Sequence, residues 1–267
     1  MPTERYNWDP EEYARSSSAQ QQWGEELIAK LLLTGDEDVL DIGSGDGKLT
    51  VQLATHVPRG SVLGIDGSPE MIALARERFP AAKHPNLRFE PGDARELPFD
   101  GQFDVVFSNA TLHWVLDHGP VLRGIRRALR PGGRMLLQMG GKGNAAGMFA
   151  VAEHMLDAPA WRQYFVGFPF PWAFFSADEY RPSLEKAGLA PVRVALIPKT
   201  MQYASADGLA AWVRTTWLPY TQRLPESLRE EFVSELVANH VAAHPSDSEG
   251  RIGVAMVRLE VEAVKSP

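Results

Sequence analysis

Residues 43–47, Gly43-Ser44-Gly45-Asp46-Gly47, follow the apolar run Val39–Ile42 and precede a segment from Lys48 patterned like a helix. Glycines reach positive φ and let a ligand approach bare backbone. The helix start behind them supplies unpaired N–H groups. A strand–loop–helix turn of this kind suits a nucleotide-type ligand at the carboxyl end of a parallel strand. Two acids frame the loop: Asp41 near the end of the strand and Asp46 inside the turn. Carboxylates at close range would repel a pyrophosphate, but would attract a zwitterion that carries an ammonium and a sulfonium. The bland alternative is a strand-to-helix turn that holds nothing.

Two more acids stand at comparable places. Asp66 closes VLGIDGS, 19 residues after Gly47, close to the spacing of about 20 at which an acid grips ribose hydroxyls. Asp93 lies in EPGDAREL after a third apolar run. An acid there can accept from an adenine amine while the Ala94 N–H donates to the ring. Alone, either aspartate is an ordinary turn residue. Together, three acids at successive strand ends beside a glycine loop point to one adenosyl ligand with a charged tail. S-adenosylmethionine has that charge pattern.

The elements that must position these groups alternate. Strands are expected at 39–42, 61–65, 87–90, 103–108 and 134–139, and helices at 18–33, 49–56, 70–79 and 121–129. Asp9-Pro10-Glu11-Glu12 opens an earlier helix, with an Asp cap and Pro in the first turn. Short apolar strands separated by helices imply a parallel sheet covered on both faces. Arg130-Pro131-Gly132-Gly133 reads as a sharp turn before the fifth strand.

Past residue 140 the texture changes. Residues 141–147 read as a flexible loop, 176–188 as a capped helix, and 192–197 and 252–264 as late strands. Two amphipathic helices are expected at 206–217 and 226–244. Trp161, Tyr164, Phe165, Phe168, Phe170, Trp172, Phe174 and Phe175 crowd one span, either as a hydrophobic plug or as an aromatic pocket wall. The expected division is 1–35 as an N-terminal helical cover, 36–140 as the binding core, and 141–267 as the remaining strands with a helical lid at about 201–248.

Composition bounds the partners. The chain has 267 residues, a net charge of −7 and no cysteine. This excludes disulfides, thiolate metal sites and cysteine nucleophiles, and disfavours a nucleic-acid scaffold. No apolar run approaches the ~18 residues of a membrane span, and the polar N-terminus lacks a secretory core. The expectation is a cytoplasmic protein, a monomer or weak homodimer, with a small-molecule partner, no metal, no nucleic acid and no membrane.

The set VLDIGSGDG, VLGIDGS, PGDA, FDVVFSNATLHWV and LRPGGR closely resembles the class I S-adenosylmethionine-dependent methyltransferases. The resemblance implies an α/β fold: a Rossmann-like, seven-stranded, mostly parallel sheet with helices on both faces. It implies that Asp41, Gly43, Ser44, Gly45 and Gly47 hold the methionine part and Asp66 with Gly67 the ribose. Asp93 and Ala94 would hold the adenine and Met71 would pack on it, while Asn109 and Ala110 lie near the sulfur. The product would be S-adenosylhomocysteine. Trp8-Asp9-Pro10, Tyr13, the phrase Asn109–Trp114 and GLAAWVRTTWLPY are similar to trans-aconitate and juvenile hormone acid methyltransferases. In the latter, the Gln that matches Gln20 and the Trp that matches Trp114 face a carboxylate.

That likeness implies methylation of a carboxylate oxygen. A carboxylate is ionised at neutral pH and needs no base, so alignment and water exclusion are what the protein must supply. Gln20 and the Trp114 indole can orient it as neutral donors. Tyr13, Lys142 and Asn144 are further acceptor candidates, although 141–147 reads equally as a mobile loop, and helical phase decides among Gln20, Gln21 and Gln22. His113 is either a general base or a lining residue. With His113 as base, the alternative is an O-, N- or C-methyltransferase of a secondary metabolite. A non-catalytic binding protein that serves a partner is the other alternative.

Overall fold

The computed structural model describes residue 6 and residues 18–266. The helix start expected at Asp9-Pro10, and Trp8 and Tyr13, lie outside the described residues. The chain runs α1 (Ser18–Lys30), β1 (Asp38–Ile42), α2 (Lys48–His56), β2 (Ser61–Asp66), α3 (Pro69–Arg78), β3 (Leu87–Pro91) and β4 (Phe103–Asn109). A 3₁₀ turn (Leu112–Trp114) leads to α4 (His118–Ala128) and β5 (Leu129–Gly140). Then come α5 (Ala146–Leu156), α6 (Arg162–Phe165), α7 (Ala177–Lys186), β6 (Ala190–Tyr203), α8 (Ala206–Thr216), α9 (Leu218–Thr221), α10 (Glu226–Ala243) and β7 (Ile252–Val264).

The strands form one seven-stranded sheet of order β3-β2-β1-β4-β5-β7-β6. The first five strands in that order are parallel neighbours, and β7 runs antiparallel to β5. Alternate residues feed two cores, because successive strand side chains point to opposite faces. Leu40, Ile42 and Val106 pack with Val121, Leu122 and Ile125 of α4 and with Tyr180 and Leu184 of α7. Val39, Val105 and Phe107 pack with Leu27 and Ile28 of α1, Leu53 of α2 and Ile72 of α3. The sheet is therefore covered on both faces, as the alternation of short strands and helices implies.

Three expectations need correction. Helix α1 ends at Lys30, not near residue 33, because Leu32 takes a left-handed φ of 48° and breaks the helix before Gly35. Strand β5 starts at Leu129, five residues before Arg134: Leu129 pairs with Phe103, and the register then shifts around Gly132, whose φ is 76°. The Pro-Gly-Gly turn is thus an irregularity within a strand. Strand β6 is longer than 192–197 at both ends.

The described residues divide into two compact units. The larger holds 19–142, 172–197 and 257–266; the smaller holds 143–171 and 198–256 with residues 6 and 18. In the smaller unit α10 packs against α5, α8 and α9. Among the described residues no helix is long and apolar enough to cross a membrane.

Candidate functional site

The glycine loop leaves β1 in a conformation few side chains tolerate. Gly43, Gly45 and Gly47 have φ of 79°, 52° and 84°. The N–H groups of Gly43 and Ser44 both donate to the Ile65 carbonyl, at 2.8 and 3.0 Å, which ties the loop to the end of β2. A Cβ on Gly43 would lie 2.0 Å from Thr111 Oγ1, whereas one on Gly45 would meet nothing within 4 Å. The loop is packed on one side and open on the other. Ser44 Oγ is buried and has no hydrogen-bond partner.

Asp66 meets this loop directly. Its carboxylate accepts from the Gly45 N–H at 2.9 Å and the Ser68 N–H at 2.8 Å. A carboxylate can accept further donors at its remaining lone pairs, so both hydroxyls of a ribose remain acceptable partners. Burial raises its carboxyl above the usual range against these two hydrogen bonds. Asp41 is 2% exposed and accepts from the Thr50 hydroxyl at 2.7 Å. Burial, reinforced by the nearby Asp66 charge and opposed by Thr50, pushes Asp41 up to about 7. Gly67 is exposed beside Asp66, and Met71 is buried at the start of α3.

Asp46 does not play the part its position in the loop suggests. Its carboxylate pairs with Arg78 at 2.6 Å and Lys48 at 3.3 Å. The loop's bias toward a cationic ligand therefore rests on Asp41 and Asp66. Asp93, half-exposed after β3, is held by its own neighbour: the Arg95 N–H and Nε donate at 2.9 and 2.8 Å, and Arg95 Nη2 also contacts it. Ala94 packs partly into the core.

Asn109 ends β4 and is 9% exposed. Ala110 follows with φ 55°, a left-handed conformation that is uncommon for alanine, fixed by its N–H to the Gln138 carbonyl at 2.8 Å. Strain of this kind gathers at functional turns. The next residues form the 3₁₀ turn that carries His113 and Trp114. His118 anchors that turn from below: its Nε2–H donates to the Leu112 carbonyl at 2.8 Å, and its Nδ1 accepts from the Tyr180 hydroxyl at 2.8 Å.

His113 packs beside Trp114 and Phe174, with centroids 5.7 and 6.1 Å away. Its Nδ1 receives only a long contact from the Gly140 N–H, 3.5 Å. Burial, with the positive charge of Arg258 and then His118, holds its pKa well below the usual histidine value. The ring is neutral at physiological pH and weakly basic. Trp114 meets Trp172 edge-on at 5.7 Å, and Trp172 stacks on Phe174.

The remaining acceptor candidates fare unequally. Gln20 lies in the first turn of α1, at a position sharing a face with Trp23, Gly24 and Leu27; its side chain, like all of Tyr13, is outside the described residues. Gln21 donates to Glu25 at 3.0 Å and Gln22 is exposed. Lys142 is exposed and pairs with Glu179 at 3.2 Å. Asn144 is buried and belongs to the smaller unit. The aromatic span divides: Trp161 and Phe165 are core residues of the smaller unit, packed on Phe232, while Trp172, Phe174 and Phe175 belong to the larger. The first group packs within its own unit and not as part of the sheet's core clusters, and the second lies against His113, Trp114 and His118.

Sequence reasoning passed over Arg258. It is 3% exposed on β7, with its guanidinium carbon 5.7 Å from the Trp23 ring centroid. No motif marks it, and an arginine inside a strand reads as an exposed-face residue.

Residues 39–133 match the family described as methyltransferase domain. The chain is 33% identical to a trans-aconitate 2-methyltransferase of Variovorax paradoxus, over 97% of this chain and 98% of that one. It is 34% identical to one of Deinococcus radiodurans over 81% of this chain and 83% of the relative. Among solved structures, the YcgJ protein of Bacillus subtilis matches with TM-score 0.62 at 19% identity, over 92% of this chain and 99% of that one. A geranyl diphosphate methyltransferase solved with sinefungin matches with TM-score 0.55 at 15% identity, over 91% of this chain and 77% of that one. At these identities the structural matches show the fold.

Proposed function

The chain belongs to the class I S-adenosylmethionine-dependent methyltransferases, and from that premise we propose that it methylates a carboxylate oxygen of a small acid. S-adenosylmethionine supplies a methyl group on a positively charged sulfur. The residues present fit such a molecule: an open Gly45, an orphaned buried Ser44 hydroxyl, and two acids, the buried Asp41 and the half-buried Asp66, with no cation paired to either in the loop. In this reading Asp41, Gly43, Ser44, Gly45 and Gly47 hold the methionine part and Asp66 with Gly67 the ribose. Met71, Asp93 and Ala94 hold the adenine, and Asn109 and Ala110 lie at the reacting end.

The observation that carries the acceptor choice is the state of His113. A phenol or an ammonium must lose a proton before it can attack, and the half-buried His113 imidazole, whose basicity is held below the usual histidine range by desolvation and the nearby Arg258 charge, is a poor group to take it. A carboxylate is already ionised. The chain then needs only to orient it, through Trp114 and Gln20, and to keep water away. The named trans-aconitate relatives support an acid acceptor.

The test is methyl transfer from a labelled donor to a panel of acceptors: trans-aconitate, propane-1,2,3-tricarboxylate, cinnamate, catechol and tyramine. Transfer to an acid, with His113→Asn slowing it by less than about tenfold, is expected. Transfer confined to catechol or tyramine, with His113→Asn costing roughly 10²–10⁴ in rate, would replace this reading by the general-base one.

A further inference from the structure

The 3₁₀ turn that carries His113 and Trp114 is held from two sides by groups outside it. On one side His118, at the start of α4, donates from its Nε2–H to the Leu112 carbonyl at 2.8 Å. A carbonyl only accepts, so this bond fixes the tautomer and leaves Nδ1 as an acceptor. The Tyr180 hydroxyl of α7 donates to it at 2.8 Å. On the other side the Ala173 N–H donates to the His113 carbonyl at 2.9 Å, and the Phe175 carbonyl accepts from the Lys142 N–H at 2.9 Å. Residues 173–175 thus tie the turn to the chain just past β5. Phe175 also closes over the polar pair, its ring centroid 5.0 Å from that of His118 and 5.6 Å from that of Tyr180.

Stability alone does not account for this pair. His118 and Tyr180 are 3% and 1% exposed, and Tyr180 belongs to the apolar cluster that holds Val106 and Leu122. Hydrogen bonds between neutral groups contribute modestly, and apolar side chains of the same shape in both places can serve nearly as well. Burial keeps the imidazole neutral, against the bond to Leu112, and the phenol protonated. What a fully satisfied, directional relay adds is one fixed position for the Leu112 carbonyl. Trp114 stands two residues further along the same short turn, so a displaced Leu112 displaces the indole with it.

We propose that Tyr180 and His118 are positioning residues: through the Leu112 carbonyl they set where Trp114 holds the acceptor against the methyl donor. Neither touches the acceptor. This rests on the reading of Trp114 as the group that orients a carboxylate.

The test compares wild type, Tyr180→Phe, His118→Gln and the double variant His118→Leu/Tyr180→Phe on trans-aconitate and cinnamate. A small misplacement of the reacting groups is costly, so kcat should fall roughly tenfold to a hundredfold in Tyr180→Phe and in the double variant. Acceptor KM should change by less than about threefold, and S-adenosylhomocysteine affinity should not change. His118→Gln keeps an N–H for the Leu112 carbonyl and should recover part of kcat. In the double variant that carbonyl still accepts from the Val115 N–H at 2.9 Å, so this protein should melt near wild type and yet turn over slowly. An intact kcat overturns the proposal, and so does a kcat that follows the melting temperature across the series. A second arm needs no acceptor. In protein labelled with fluorotryptophan, the Trp114 fluorine resonance, assigned with Trp114→Phe, should shift or broaden in Tyr180→Phe, while that of Trp161, in the core of the smaller unit, stays. An unchanged Trp114 resonance overturns the proposal. If wild type methylates neither acid, the carboxylate reading fails; the same kcat comparison on catechol and tyramine, with the Trp114 resonance, then decides for or against Tyr180 and His118.

Discussion

At the level of single residues, each charge is put to use according to its partners. Asp41 and Asp46 look equivalent in the sequence, five residues apart in one motif. Asp46 is neutralised by Arg78, from a helix 32 positions further on, and no local pattern announces that pairing. Asp41 keeps only the Thr50 hydroxyl and is held up to about 7. In the ligand-free protein it is mostly protonated below about pH 7. The cofactor's ammonium favours the ionised form, so binding below that pH must release a proton. Affinity for S-adenosylhomocysteine should therefore rise with pH through about 7 and level off above it. Asp41→Asn should bind more weakly and lose the rise. Calorimetry across this range checks both, and a flat wild-type profile would take Asp41 out of contact with the ammonium. Folding shows the opposite sign. The folded pKa exceeds the unfolded one, so the contribution of neutral Asp41 to stability is full below about pH 4 and lost as pH rises through about 7.

At the scale of elements the sequence was most legible where glycine, proline and apolar alternation coincide. The turn at residues 43–47 and the starts of α2 and α3 were readable because the chemistry that forces them is local: positive φ at three glycines, and a Ser68 cap before Pro69. The length of β5 and β6 was not, because pairing with distant strands extended both through residues that read as turn or loop. The His118–Tyr180 bond, which steadies the 3₁₀ turn, joins residues 62 positions apart and was invisible for the same reason. The loop itself predicts a contrast. Gly43→Ala places a Cβ against the Thr111 hydroxyl at an unfavourable φ, and should cost about 2 kcal/mol or more of stability. Gly45→Ala meets no protein atom, so it should destabilise less while weakening cofactor binding more. Urea melts and S-adenosylhomocysteine titrations of both variants check this. If the two lose stability and affinity in the same proportion, the open side of the loop is not where the cofactor lies.

At the scale of the molecule the parallel sheet and its two-sided cover were legible from the alternation of strands and helices, while the strand order was not. The partition into units was harder to foresee. The change near residue 140 was visible as a change of texture, but the crowded aromatics at 161–175 looked like one cluster and are two, because the chain passes from one unit to the other at residues 171–172. The expected lid at 201–248 has its own test. Hydrogen exchange there should slow when S-adenosylhomocysteine and an acid acceptor are both present, and less with either alone. Exchange that is the same in every ligand state would make this segment a packing element.

In the proposed reaction the methyl group ends on a carboxylate oxygen. The direct measurement is to run the reaction with S-adenosylmethionine carrying a deuterated methyl, isolate the labelled product, and treat it with mild base. A carboxylate acceptor predicts a methyl ester, which base cleaves to the original acid and deuterated methanol. Label retained in a base-stable ether, amine or carbon–methyl product would contradict the account.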